Sequence, residues 1–350
     1  MSTKIKAYGN QDVKADLKEM IIERRELNDN DLKIDILYCG VCHSDIHAAR
    51  NDWGNAKYPV VPGHEIIGKV IATGSKVTRF SEGDLVGVGC MVDSCLTCSA
   101  CEDDLEQYCE SGMVGTYNGK DKHSGGHTFG GYSTSVVVRE HFVLNIPENL
   151  DAKAVAPLLC AGITTFSPLN HWKIKKGDKV GIVGLGGLGH MGIKFAAAMG
   201  AETIMITTSP EKADDAKRLG ANGVLISKDS DEMKKHNGTF NFILNTVPVK
   251  HDVNPYLNLL KRDGTMVMVG AIEPLEPMNG ANLIIGRKSI AGSLIGGIKE
   301  TQEMLEFCGK YNIVSDVEMI EMKEINTAFD RVTDNDVKYR FVIDMQSLKD

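Results

Sequence analysis

Four of the nine cysteines, Cys95, Cys98, Cys101 and Cys109, stand in the spacing C-x2-C-x2-C-x7-C, in a stretch with no competing apolar pattern. Thiolates this close in sequence can close around one soft divalent ion, and four of them make a tetrahedral site with no open position, as in structural zinc. An iron–sulfur cluster also takes four thiolates, but its usual run continues C-x3-C-P, whereas Cys109 comes eight positions after Cys101 and is followed by Glu110. Cys90, just before the loop, stays outside the set, and Cys308 lies beside Met304, Leu305 and Phe307 as a core thiol. A second group is scattered: Cys42 and His43, His64 and Glu65 after Pro62-Gly63, and Cys160. Two thiolates and an imidazole would leave room for a fourth ligand on a metal, although spacing alone does not unite residues so far apart.

A third feature is Gly184, Gly186 and Gly189, a G-x-G-x-x-G with Gly187 and Leu188 inside it, directly after the apolar run Lys179 to Val183. Such glycines permit a tight turn, the approach of a pyrophosphate to bare backbone, and close contact between helix and sheet. At the end of the next strand, where an acid would hold a free ribose, the chain reads Thr207, Thr208, Ser209, Pro210, Glu211, Lys212. Hydroxyls with a lysine suit a 2′-phosphate, so NADP(H) is favoured over NAD.

The elements that must position these groups fall into two regimes. Short apolar runs broken by turn residues, such as Leu32 to Leu37, Ile66 to Ala72 and Leu85 to Gly89, predict a mostly β first domain. Helical spacing begins after Asp151, an N-cap candidate, and runs through Cys160, placing that cysteine in a helix. Then Lys179–Val183, Thr203–Thr207, Gly223–Ile226, Phe240–Thr246, Thr265–Val269 and Ser289–Ile295 alternate with helical stretches, including Val253–Lys261. That alternation predicts βαβ units and a doubly wound parallel sheet. A helical stretch, Lys299–Lys310, and a strand, Arg340–Met345, follow and can pack back on the first domain, making it discontinuous. The expected division is 1–152 with 297–350, and 153–296.

With 350 residues, two domains are expected. The formal charge of −8 weighs against a nucleic-acid partner. No apolar run reaches the roughly 20 residues that span a bilayer, and no secretory signal is seen, so a cytoplasmic, membrane-free protein is expected. An odd, crowded cysteine set then points to metal before disulfides.

Gly40-Val41-Cys42-His43-Ser44-Asp45-Ile46-His47, Pro62-Gly63-His64-Glu65 with Gly68, the cysteine loop, Cys160-Ala161-Gly162-Ile163-Thr164 and the glycine turn together resemble the zinc-dependent medium-chain alcohol dehydrogenases. Within that family the chain looks like the cinnamyl alcohol dehydrogenase or broad aldehyde reductase branch, over nearly its whole length. The resemblance implies an α/β protein with a GroES-like, mostly β catalytic domain and a doubly wound Rossmann domain. It implies a catalytic zinc on Cys42, His64 and Cys160 with an open fourth position, Glu65 beside it, Asp45 bonded to the far nitrogen of His64, and a second, structural zinc on the loop cysteines. Ser44 and His47 match a proton relay, Thr164 and Arg340 match residues on the nicotinamide and the pyrophosphate, and Trp53 and Tyr117 match the wall of the substrate pocket. The implied partners are a small aldehyde or alcohol and a second copy of the chain, as a homodimer or homotetramer. A zinc-free quinone or enoyl reductase, a polyol dehydrogenase and a non-enzymatic zinc- and nucleotide-binding protein are the competing readings.

Overall fold

The computed structural model describes residues 2–270 and 273–349. Its contacts divide the chain into two compact units, Met1–Cys160 with Gly296–Asp350, and Ala161–Ile295. The first unit is built on a seven-stranded sheet. Its strands run in the order Val317–Glu321, Arg340–Asp344, Asp31–Gly40, Ile66–Thr73, Leu85–Val88 and Leu144–Asn145, with Ser135–Arg139 also paired to Asp31–Gly40. The alternation of Leu32, Ile34 and Ile36, none of which is exposed, lays one face of Asp31–Gly40 against the core. The strand Arg340–Asp344 enters between Val317–Glu321, to which it is parallel, and Asp31–Gly40, to which it is antiparallel. The last segment of the chain thus completes the sheet that carries the first cysteines.

The helix Ala152–Val155, capped by Asp151 through the Lys153 N–H, and the turn Ala156–Leu159 pack on Asp31–Gly40 and Ile66–Thr73. This unit therefore extends to Cys160, past the division at 152 read from the change of periodicity.

The second unit holds six parallel strands in the order Gly223–Ile226, Glu202–Thr207, Lys179–Val183, Phe240–Asn245, Leu260–Met268, Ser289–Gly292. Chain order reverses between Lys179–Val183 and Phe240–Asn245, the point where doubly wound sheets open a crevice. Two segments differ from the sequence reading. The helix Asn254–Leu259 stops before Lys261, because Leu260 is already paired with Phe240. The last strand ends at Gly292 instead of Ile295, whose backbone turns to a φ of 38°.

Candidate active site

Asp45 organises the candidate metal ligands of the first unit. It lies wholly buried on the short helix His43–Ala49. It accepts four hydrogen bonds, from the Cys42 N–H at 2.9 Å, the Gly63 N–H at 3.0 Å, His64 Nδ1 at 2.9 Å and the Tyr132 hydroxyl at 3.2 Å. A buried carboxylate requires such donors, and these four tie together the helix start, the Pro62-Gly63 turn and the ligand histidine. Since the ionised carboxylate only accepts, the His64 proton sits on Nδ1 and the lone pair of Nε2 is free for a metal.

Cys160 arrives from elsewhere in the chain. It does not lie within a helix, as its spacing predicted. It stands at a break with φ −130° and ψ −70°, between the turn Ala156–Leu159 and the helix Ala161–His171. The break brings its sulfur to 3.9 Å from that of Cys42. The ligand atoms of Cys42, His64, Glu65 and Cys160 all lie within 4.8 Å of one another. His43 is exposed and outside this set.

The electrostatics suit a cation. The thiol of Cys160, hydrogen-bonded to Cys42, holds Cys42 well below the ordinary thiol range against the effect of burial, and the same contact raises Cys160. Burial pulls His64 down, but the Asp45 carboxylate lifts it above its usual value. Glu65, fully buried, is pushed up to about 7 by desolvation, opposed by Arg340. One Glu65 oxygen pairs with the Arg340 guanidinium, and the other, Oε2, is buried without a partner. Two soft sulfurs, an oriented imidazole nitrogen and an orphaned carboxylate oxygen form a donor set that fits zinc. The fit extends to the backbone: a Cβ on Gly40 would come within 1.9 Å of Glu65 Oε2, so only glycine leaves room for that oxygen. The Arg340 guanidinium also donates to the Val41 carbonyl, from Nε at 3.2 Å and Nη2 at 2.7 Å, so that its charge faces the Val41–Cys42 segment and Glu65.

Ser44, half-buried, and His47 lie three residues apart on the helix His43–Ala49 and so share a face. His47 Nδ1 is 2.7 Å from Asp52 Oδ2. Asp52 carries no motif in the sequence; its only signal is a carboxylate just past the end of the helix that bears His47. Trp53 lies 5.4 Å from the His47 ring, tilted by 40°, and Tyr117 lies 5.5 Å from the His64 ring.

The loop cysteines form the second cluster, their sulfurs also within 4.8 Å of one another. Three of the four accept backbone N–H groups: Cys95 from Thr97 and Cys98, Cys98 from Glu110, and Cys109 from Cys95. The Thr97 N–H holds Cys95 down to about 5, whereas burial raises Cys101 to about 11. N–H groups pointed at sulfur stabilise thiolate, the form that binds metal.

In the second unit, Gly184 adopts a φ of +92°, a Cβ on Gly186 would meet nothing within 4 Å, and a Cβ on Gly189 would lie 1.9 Å from the Gly184 carbonyl. These are the three separate demands of a dinucleotide turn. Gly187 and Leu188 complete it, Leu188 at the N-cap of the helix Gly189–Ala198. Lys212 Nζ donates to the Leu185 carbonyl at 3.2 Å, which sets the lysine over the turn beside exposed Thr208 and half-buried Ser209. Thr164 is buried on the helix Ala161–His171.

Residues 28–148 match the alcohol dehydrogenase GroES-like domain, and residues 187–310 match the zinc-binding dehydrogenases. Aldehyde reductase YahK of Escherichia coli is 55% identical over 99% of this chain and 100% of its own length. Among solved structures, a cinnamyl alcohol dehydrogenase of Sorghum bicolor superposes with a TM-score of 0.95 at 44% identity, covering 98% of each chain. A CAD from Helicobacter pylori complexed with NADP(H) gives a TM-score of 0.93 at 40% identity, covering 99% of each. The mostly β sheet unit and the doubly wound unit are therefore GroES-like and Rossmann-type respectively.

Proposed function

This chain belongs to the zinc-dependent medium-chain alcohol dehydrogenases, and on that premise we propose that it transfers hydride between NADP(H) and a primary alcohol or its aldehyde, aromatic or medium aliphatic substrates being preferred. The observation that carries the reading is the convergence of Cys42, His64 and Cys160, with the orphaned oxygen of Glu65, on one point of the first unit. Those three residues would hold one zinc and the loop cysteines a second, two per subunit. When bound, the first supplies Lewis-acid stabilisation of charge on the reacting oxygen, and NADPH supplies the hydride. Asp45 keeps His64 in the ligating tautomer. His47 moves the proton, and Asp52, with 46% of its side chain exposed, stabilises the imidazolium and leads that proton to water. Trp53 and Tyr117 offer an apolar wall, where each methylene of substrate is worth only about 1–3 kcal/mol.

The test is a steady-state panel of cinnamyl, benzyl, medium aliphatic and two-carbon aldehydes, with a hexitol in the reverse direction, against NADPH and NADH, with zinc measured on the same preparation. NADPH should give the higher kcat/KM and the aromatic aldehydes should exceed acetaldehyde. Equal efficiencies with the two cofactors would defeat the NADP(H) assignment. One zinc per chain without turnover would favour a structural protein. In Lys212→Ala, kcat/KM with NADPH should fall roughly 10–100-fold, the cost of a charge-assisted contact, while NADH is little affected.

The proposal extends to a cytoplasmic homodimer. Ser289–Gly292 is an outer strand of its sheet, with one side unpaired among the described residues. Nearby Ile284 and Ile285 are 81% and 88% exposed, an unusual state for two adjacent isoleucines. A second copy would cover both features through a two-fold axis. Sedimentation should give the dimer mass, or the tetramer mass if a further surface is used, and Ile284→Asp with Ile285→Asp should shift it to monomer. A monomeric parent protein would refute the pairing.

A further inference from the structure

The carboxyl end of the strand Phe240–Asn245 carries an interlocked set of hydrogen bonds that the zinc and phosphate assignments leave unused. Asn245, the last residue of the strand, is fully buried. Its Oδ1 accepts the Val247 N–H at 3.1 Å, so its Nδ2 faces His251 Nε2, at 2.8 Å, and donates to it. His251 Nδ1 lies 2.7 Å from the Val249 carbonyl, which can only accept, so the proton sits on Nδ1. Both ring nitrogens are thereby engaged and the ring is held in one orientation. Thr246 is anchored separately: its hydroxyl donates to the Val183 carbonyl at 2.8 Å and its N–H to the same oxygen at 3.1 Å. A Cβ on Gly184 would come within 3.0 Å of that hydroxyl. The turn from Thr246 to His251 is thus fixed against the glycine turn at one end and through Asn245 at the other.

These bonds sit where chain order reverses between Lys179–Val183 and Phe240–Asn245, and in open parallel sheets a ligand lies across that reversal. Lys212, Thr208 and Ser209 follow the strand on the opposite side of Lys179–Val183, and the proposed function gives them the 2′-phosphate end of the cofactor. A dinucleotide crossing the glycine turn from there meets the Thr246–His251 turn with its other half. We infer that His251 is a positioning residue for the nicotinamide half of NADP(H): it holds Asn245 in one orientation, and Asn245 holds the backbone of the turn. Loss of the imidazole leaves the Asn245 amide buried without an acceptor, free to flip and release Val247. The inference rests on the NADP(H) reading, and its test separates the two.

The experiment measures Kd for NADPH, by fluorescence, and for 2′,5′-ADP, which carries only the phosphorylated adenosine half, on zinc-loaded protein. His251→Ala should weaken NADPH roughly tenfold, the scale of one lost buried acceptor, and leave 2′,5′-ADP unchanged. Amide exchange at Val247 in the cofactor-free protein should quicken. His251→Gln, whose Oε1 can replace Nε2 as acceptor, should restore both. If the alanine variant does not fold, His251→Asn, which keeps a group near Val249 and loses the one facing Asn245, gives the same readout. Unchanged NADPH affinity, equal weakening of both ligands, or failure of glutamine to rescue would overturn the inference. If the parent protein ignores 2′,5′-ADP, the NADP(H) reading fails alone, and NADH with AMP becomes the probe pair for His251.

Discussion

Cys160→Ala is expected to give a folded protein that binds one zinc per chain instead of two and turns over aldehyde about 10³-fold more slowly, or not measurably. Alanine is the better choice than serine, since a hydroxyl at the same place retains a ligand atom. The substitution removes a single sulfur from a position that already breaks the helical path, so little packing is lost, about 1 kcal/mol on the scale of small deletions from cores. What disappears is the sulfur 3.9 Å from Cys42, one of the two soft donors of the site. His64 would stay oriented by Asp45, but two remaining ligands and Glu65, whose carboxylate is pushed up to about 7 by burial, are a poor holder for a cation. Charge stabilisation at a reacting oxygen is worth several kcal/mol, and each 1.36 kcal/mol is tenfold in rate, hence the size of the effect. Zinc content, melting temperature and kcat on one preparation decide it. A metal-depleted Cys160→Ala protein with full turnover would remove the proposed mechanism.

What was legible beforehand depended on whether a group of residues was local. The loop cysteines and the glycine turn were, because each set lies in one short stretch whose spacing is itself the geometry. Gly184 and Gly189 then show the positive φ and the close approach that their pattern requires. Cys160 shows the opposite case. The apolar period runs unbroken from Ala152 to Ile163, and periodicity reports which face is buried, not where a backbone bends to deliver one sulfur to a partner at a helix start far away in sequence. Family resemblance, and not spacing, joined Cys160 to Cys42. The hub role of Asp45 was only partly visible: its bond to His64 was expected, whereas Tyr132 as a fourth donor and Gly40 as the space for Glu65 carry no local signature. Asn245 and His251 went unnoticed for a related reason. A strand-end amide and a loop histidine are unremarkable in type, and only their assigned donors and acceptors make them a unit.

Cys98→Ser should act on stability rather than on chemistry. The segment it anchors has little to hold it otherwise: one short pairing of Met91–Asp93 with Val114–Gly115, a four-residue helix, Ser99–Glu102, and the turn Glu106–Tyr108. None of these elements is long enough to persist alone. Two non-glycine residues, Leu96 and Asp104, hold left-handed φ values of 57° and 60°, each costing about 1–2 kcal/mol that the surroundings must offset. Some offset comes from Glu106, which takes the Ile298 N–H at 3.0 Å and His141 Nε2 at 2.6 Å and so ties the loop to the helix Ile298–Tyr311. The remainder would fall to the four cysteine sulfurs closing on one ion, since the binding energy of such a site is folding energy. Serine at 98 removes the sulfur that accepts the Glu110 N–H and lies 4.0 Å from Cys109, leaving three thiolates and a neutral hydroxyl that binds a soft ion far more weakly. Loss of a structural metal belongs among the largest single-residue effects, about 4 kcal/mol or more, which for a unit of this size lowers Tm by roughly 10 °C. At temperatures below that transition, kcat per catalytic zinc should remain near the parent value, because Cys42, His64 and Cys160 are untouched. A variant with unchanged Tm and reduced kcat would invert the assignment of the two metal sites.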